Sequence, residues 1–148
     1  MCSSDLVASE AHAMRTLIAD AAVETDLKTI FHKLTAARVD GLIILGSPPL
    51  GMVRGQIAAL ALAAKLPTIA SYSDFVAAGA LMSYGVNLDA NYRRAAYFVD
   101  RILKGTKPAD LPVEFPTRIE FVLNMKTAKA IGLEIPQIVQ LRADEVIE

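Results

Sequence analysis

Tryptophan is missing from this sequence, cysteine and histidine are nearly so, with one and two copies, and aromatic residues make up only 6% of the chain. A lone Cys2 excludes an intramolecular disulfide and any metal site built from several thiolates. A serine hydrolase needs a G-x-S-x-G turn and a histidine base, and neither His12 nor His32 lies near such an element. His32, between polar helix neighbours, reads as a solvated surface residue. No H-E-x-x-H, no phosphate-binding P-loop and no carboxylate pair at an active-site spacing occurs, and GSPPLG at 46–51 lacks the glycine spacing of a dinucleotide site. No catalytic group, cofactor or metal ligand set is therefore expected.

Long apolar runs are also lacking. GLIILG and IAALALAA fall far short of the roughly 20 residues a membrane-spanning helix needs. Charge of one sign does not accumulate either: 15 basic and 16 acidic residues give a net charge of -1, which argues against a nucleic-acid partner and against a polybasic membrane patch. The opening MCSSDLVASE has neither the basic start nor the apolar core of about 7–15 residues that a secretory signal requires. On these residues alone the chain is either cytoplasmic or lacks its natural beginning.

What is abundant is aliphatic and small: 53% of the 148 residues are hydrophobic and 21% charged, enough for one packed domain of helices over a sheet. Residues 10–17 are helix-compatible, and LIADAAVE at 17–24 reads as a short buried strand or as an extension of that helix. Leu27, Ile30, Phe31 and Leu34 mark a helix that Thr25 is placed to cap. Leu42 to Leu45 form a continuous aliphatic run of the kind buried on both faces of a parallel sheet. GSPPLG is a turn, followed by a helix with Val53, Ile57, Leu60, Ala61 and Ala64 inward and ending before Pro67.

Thr68 to Ala70 is a short strand, SYSDFVAAG a turn with one helical turn closing at Gly79, and LMSYG an extended segment. The helix NLDANYRRAAYFVDRILKG is marked at both ends, with Asn87 as cap, Gly105 as terminator, and Leu88, Tyr92, Ala95, Ala96, Val99, Ile102 and Leu103 on one face. Extended segments flank Pro116, MKTAKAIG is a helix between Asn124 and Gly132, and 135–148 is a final short helix with an irregular tail. Strands alternating with helices imply an α/β fold, a Rossmann-like doubly wound parallel sheet.

In open α/β sheets ligands lie at the carboxyl ends of the strands. Here those ends are Gly46 to Gly51, Ser71 to Asp74 and the region of Ser83 to Asn87. The candidate ligand contacts are Ser47, Ser71, Tyr72, Ser83, Tyr84 and Asn87, with Tyr72 for stacking and the serines and Asn87 for polar anchoring. A plainer reading stands beside it: Ser47 and Ser71 as turn formers, Asn87 as a helix cap, Tyr72 and Tyr84 as core aromatics.

The stretches DFVAAGALMSYG, ILKGTKPADLPVE and FVLNMKTAKAIGLEIP, and more loosely ARVDGLIILGSPPL, resemble the periplasmic substrate-binding proteins of ATP-binding-cassette transporters, in the branch related to tryptophan and aromatic-substrate binders. The resemblance implies a type I periplasmic-binding fold of two lobes that close on a ligand without chemistry. It assigns 8–82 to the core of the second lobe, 83–117 to a segment returning to the first lobe, and 118–148 to a crossing strand and the last helices of the second. It places Ser83 and Tyr84 beside the hinge and cleft, and it expects tight or positive-φ geometry at Gly79 and Gly85. The implied partners are a small-molecule solute, an aromatic amino acid or related carboxylate, and a membrane permease, in a periplasmic or lipid-anchored extracytoplasmic setting. An export signal and a full first lobe would precede such a segment, whereas MCSSDLV matches neither, so an amino-terminal truncation is expected. Two other classes remain open: the sensory domain of a transcription regulator, and a small α/β enzyme.

Overall fold

The computed structural model describes residues 14–21 and 26–148. Helix α1 (Leu27–Ala36) is followed by β1 (Leu42–Ile44), α2 (Pro48–Met52), α3 (Arg54–Ala63), β2 (Thr68–Ala70), α4 (Ser73–Ala77) and β3 (Met82–Val86). Then come α5 (Leu88–Leu103), a 3-10 turn at Pro108–Asp110, β4 (Ile119–Asn124), α6 (Met125–Ile131), α7 (Gln137–Gln140) and β5 (Glu145–Ile147). The strands form one five-stranded sheet in chain order, with β1–β2, β2–β3 and β4–β5 parallel and β3–β4 antiparallel. The antiparallel pair is where the mostly parallel pattern breaks: the chain leaves the sheet through β3, makes α5, and comes straight back through β4.

Register carries the sheet's two faces. Ile44, Ala70, Ser83 and Val122 align across β1 to β4. Ile44 and Ala70 pack with Phe31 of α1, Ile57 and Ala61 of α3 and Phe75 of α4. The neighbouring row contains Met82 and Leu123, which pack with Ala128 of α6, with Ile135 just before α7 and with Val139 of α7. Helices therefore pack on both faces, although at β1 only the face that carries Ile44 is covered. Leu81, Leu123 and Phe75 are almost fully enclosed, and each such side chain contributes about 1.5–3 kcal/mol by leaving water.

A buried polar pair ties the two layers together. Asn124 caps α6 by accepting the Thr127 backbone N–H at 3.0 Å and donates its amide to the Val76 carbonyl at 3.3 Å. Thr127 Oγ1 donates to the Gly79 carbonyl at 3.0 Å, so the start of α6 is fixed against the end of α4. Gly105 and Gly132 close their helices with φ of 97° and 77°.

Several expectations need correction. Asp26 caps α1, accepting the Lys28 N–H and the Thr29 hydroxyl; those bonds, the hydroxyl's foremost, hold its carboxyl below the usual range, while Thr25, the expected cap, lies outside the described residues. Residues 14–21 are neither helix nor strand, while 10–13 and 22–24 lie outside the described residues. β1 is an edge strand: Ile44 is buried, but Ile43 and Leu45, on the opposite face, are 70% and 51% exposed. A continuous aliphatic run reports apolarity, not which neighbours cover it. The tail after α7 is ordered as β5, pairing with β4.

The apolar face of α5 stands largely open, with Tyr92, Val99 and Leu103 exposed, and no α5 residue is buried. Its other side is held. Arg94 forms a two-pronged pair with Glu114 (2.7 Å and 2.5 Å) and stacks over the rings of Tyr97 and Phe98, clamping the returning segment to the helix.

Candidate functional site

The carboxyl ends of β1, β2 and β3 converge. Strand β1 runs into Gly46 and Ser47, where extended backbone at Ser47 and the fixed φ of Pro48 begin α2. The Ser47 side chain is exposed and makes no capping bond to that helix. Strand β2 runs into Ser71 and Tyr72, the latter extended and preceding α4.

Two contacts lock these ends together. Ser71 Oγ accepts the Gly46 N–H at 3.2 Å and donates to the Ile44 carbonyl at 3.4 Å, while the Ser71 N–H reaches that same carbonyl at 3.3 Å. The Tyr72 ring lies over Gly46 so closely that a Cβ there would fall 2.2 Å from Cε2. Only glycine leaves room for the ring. On the other side, a Cβ at Gly85 of β3 would fall 2.0 Å from the Ser71 carbonyl oxygen, so β3 can press against the β2 end only where it carries no side chain. Gly85 matters for that close approach; Gly79 has the positive φ, at 112°.

Six residues were candidates for ligand contact, and the structure separates them. Ser47, Ser71 and Tyr72 lie together at the β1 and β2 ends. Tyr84 projects from β3 beyond the end of β2, 63% exposed and edge-on to Phe121 across the antiparallel pair. Ser83 is 1% exposed, in the row between Ala70 and Val122. Strand alternation thus sends Ser83 and its neighbour Tyr84 to opposite faces, and leaves the Ser83 side chain enclosed within this lobe.

Asn87 is occupied by structure. Its Oδ1 accepts the Ala90 N–H at 2.8 Å, its Nδ2 donates to the Glu120 carboxylate, and its backbone N–H donates to the Arg118 carbonyl. It joins the start of α5 to the start of β4. Gly46 and Glu120 were not singled out in the sequence; a glycine after an aliphatic strand was visible, but the ring above it comes from 26 residues further on.

The strand ends present a surface, not an enclosed chamber. A hollow of about 480 Å3 lies elsewhere, between α4 and β5, with Arg54, Asp74 and Glu145 on its walls and none of the six candidates. Among the described residues no group of three or more His, Cys, Asp or Glu is placed to hold a metal ion, and no helix is long and apolar enough to cross a membrane. Since small-ligand sites bury about 70–90% of the ligand, this surface can be one wall of a site and not the whole.

Residues 13–147 match the family described as ABC transporter substrate binding protein. The chain belongs to that family. Its fold is also that of solved structures: a conserved domain protein from Vibrio cholerae (TM-score 0.85, 23% identity, 95% of this chain and 47% of that one). A second is the ABC domain in complex with L-Trp from Streptococcus pneumonia (TM-score 0.81, 22% identity, 98% and 50%). A third is the ligand-free, open form of a substrate binding protein with adhesive properties from Clostridium difficile (TM-score 0.66, 19% identity, 97% and 48%). The chain spans about half the length of these structures. Comparison with curated proteins returns no match.

Proposed function

We propose that this substrate-binding family member supplies one wall of a solute cleft, formed by the interlocked ends of β1, β2 and β3. The observation that carries the reading is the surface where exposed Ser47 meets half-buried Ser71 and Tyr72, the latter also resting on the core, made rigid by the Gly46–Tyr72 and Gly85–Ser71 contacts. Tyr72 stacks against the solute. Ser47 offers a free hydroxyl, and Ser71, whose proton is directed to Ile44, offers an acceptor. Tyr84 approaches from the β3–β4 ribbon, while Ser83 and Asn87 shape that ribbon instead of touching the solute.

The opposite wall belongs to the first lobe, the companion of the one to which most of this chain is assigned. We assign residues 8–82 and 118–148 to one lobe and 83–117, with the uncovered face of α5, to its companion; the half-length coverage of the related structures supports a missing companion. Solute touching both walls stabilises the closed state because only that state offers both sets of contacts. The solute is a small aromatic amino acid or related carboxylate, the protein acts outside the cytoplasm in the periplasm or lipid-anchored, and it hands its cargo to the permease of an importer. The aromatic assignment draws on Tyr72 and on the L-Trp complex of the pneumococcal relative.

The test is a thermal-shift screen with L-tryptophan, L-phenylalanine, indole-3-acetate and L-leucine. A ligand at one hundred times its Kd adds about 2.7 kcal/mol of stability, so even millimolar binding is readable at high ligand. The aromatic compounds are expected to raise Tm more than leucine. No shift with any aromatic compound, or a shift with leucine alone, overturns the reading.

A further inference from the structure

One carboxylate beside the joined strand ends has no counter-charge. Glu120 stands opposite Gly85 in the antiparallel pair and two residues before Val122, so strand alternation puts its side chain on the face shared by Ala70, Ser83 and Val122. Tyr72 packs against the core of that same face. Glu120 is half-buried, and among the described residues no lysine, arginine or histidine comes within ion-pair distance of it. Half of the carboxylate is engaged. Asn87 uses its Oδ1 to accept the Ala90 N–H, which fixes the amide so that Nδ2 faces Glu120 and donates to Oε2. Oε1 has no donor among the described residues, and because no buried side-chain oxygen there is left without a partner, Oε1 is open to solvent.

A second acceptor lies beside it. The Ser71 carbonyl oxygen sits 2.0 Å from the point where a Gly85 Cβ would stand. Directly opposite residues of an antiparallel pair carry their Cβ atoms about 4.5–5.5 Å apart, so the Ser71 oxygen falls within roughly 7.5 Å of the Glu120 Cβ, and Gly85 adds no side chain to fill the gap. Among the described residues no backbone N–H donates to that carbonyl. A charge-assisted hydrogen bond to nitrogen spans about 2.7–2.9 Å, so one nitrogen placed over Gly85 can touch both oxygens. Two acceptors, one of them anionic, suit a cationic group with several donors. An ammonium has three N–H donors and no acceptor, whereas a solute carboxylate would be repelled there.

We propose that Glu120, held in place by Asn87, and the Ser71 carbonyl receive an ammonium group of the solute over Gly85, which makes the site selective for an aromatic amino acid or amine against the same skeleton without the amine. The proposal rests on the reading of the strand ends as a solute wall and narrows it: Tyr72 takes the ring and Glu120 the cationic end. A solute that lacks the ammonium leaves the Glu120 charge without a partner on a desolvated wall, and that is what discriminates against it.

The experiment measures Kd by NMR titration of the 148-residue chain with three probes that share an indole ring. L-Tryptophan has both charged groups, tryptamine keeps the ammonium and lacks the carboxylate, and indole-3-propionate keeps the carboxylate and lacks the ammonium. The parent is expected to bind both ammonium-bearing probes about tenfold more tightly than indole-3-propionate, a difference of about 1.4 kcal/mol. Glu120→Gln keeps an oxygen for Asn87 and removes the charge; it is expected to weaken L-tryptophan and tryptamine about tenfold and to leave indole-3-propionate within about twofold of its parent value. A merely structural role for Glu120 would weaken all three alike. Equal losses, an unchanged affinity for the ammonium-bearing probes, or a parent that binds indole-3-propionate as tightly as either of them overturns the assignment of Glu120 and leaves the aromatic wall standing. The comparison within the parent decides this even if the variant does not fold. Binding by none of the three overturns the wall together with the proposal.

Discussion

Adding a single methyl group at Gly85 tests whether the three strand ends are as tightly interlocked as described. The new Cβ would stand 2.0 Å from the Ser71 carbonyl oxygen and 3.0 Å from its carbon. An ordinary carbon–oxygen contact is about 3.3–3.6 Å, so the two backbones must separate by roughly 1 Å or more. Neither side can yield through a side-chain rotation. Gly85 is paired with Glu120, and Ser71 is bonded to Ile44 by both its N–H and its hydroxyl.

Overpacking of this kind costs about 1–3 kcal/mol, and loss of one backbone bond at the β2 end adds about 1 kcal/mol. Gly85→Ala is therefore expected to destabilise by about 3 kcal/mol, a large part of the roughly 5–15 kcal/mol typical of a domain. With a urea m-value of about 2 kcal/mol/M, the unfolding midpoint followed by circular dichroism should fall by roughly 1.5 M. Gly55→Ala in α3, where a Cβ meets nothing within 4 Å, is the internal control and should stabilise by about 0.4–1 kcal/mol. A Gly85→Ala midpoint that differs from the parent's by less than about 0.25 M refutes the reasoning.

Gly46→Ala has a different signature, because its Cβ collides with the Tyr72 ring, which can swing aside. Stability should fall by no more than about 1.5 kcal/mol, while affinity for an aromatic solute weakens about fivefold to tenfold in calorimetric titration. Asn124→Ala removes a helix cap and the donor to the Val76 carbonyl inside the protein, and should destabilise by about 2–3 kcal/mol in the same urea assay. Glu114, held below the usual carboxylate range by its bonds to Arg94, ties the returning segment to α5 at neutral pH. Its folded-state pKa is depressed, so the tether is fully present above the ordinary glutamate value and lost as pH falls through the depressed one. Carboxyl-carbon NMR titration should show Glu114 protonating last among the exposed glutamates, with the Arg94 Nε–H signal moving in step.

The helices with chemically marked ends were legible in the sequence. Asn87 and Gly105 bound α5, and Asn124 and Gly132 bound α6, as their capping chemistry requires. The short aliphatic strands were legible as strands, because Leu42–Ile44 and Thr68–Ala70 are flanked by turn formers. Coverage was not. Nothing in the spacing of Ile43 and Leu45 reveals that β1 lies at an edge, and nothing in the periodicity of α5 reveals that its apolar stripe is left exposed. Periodicity reports which residues share a face, whereas burial depends on what arrives from elsewhere in the chain.

The candidate site was partly legible for the same reason. The rule that ligands lie at strand ends placed Ser47, Ser71 and Tyr72 at the ends of β1 and β2, and the structure brings those three together there. It did not separate Tyr84 from Ser83, whose opposite directions follow from which residue begins the pairing with β2. Nor did it show that both polar ends of the Asn87 amide are engaged within the fold, or that Gly46 exists to admit a ring. Those are contacts between residues distant in sequence, and a local pattern carries no trace of them.

The account's central claim is that solute rests on the joined ends of β1, β2 and β3. Amide-resolved NMR during titration with L-tryptophan tests this most directly. The largest shifts are expected at Gly46, Ser47, Ser71 and Tyr72, with Tyr84 moving less and the residues around Glu145 unmoved. Shifts that cluster instead in the hollow between α4 and β5, or none at millimolar tryptophan, would contradict it.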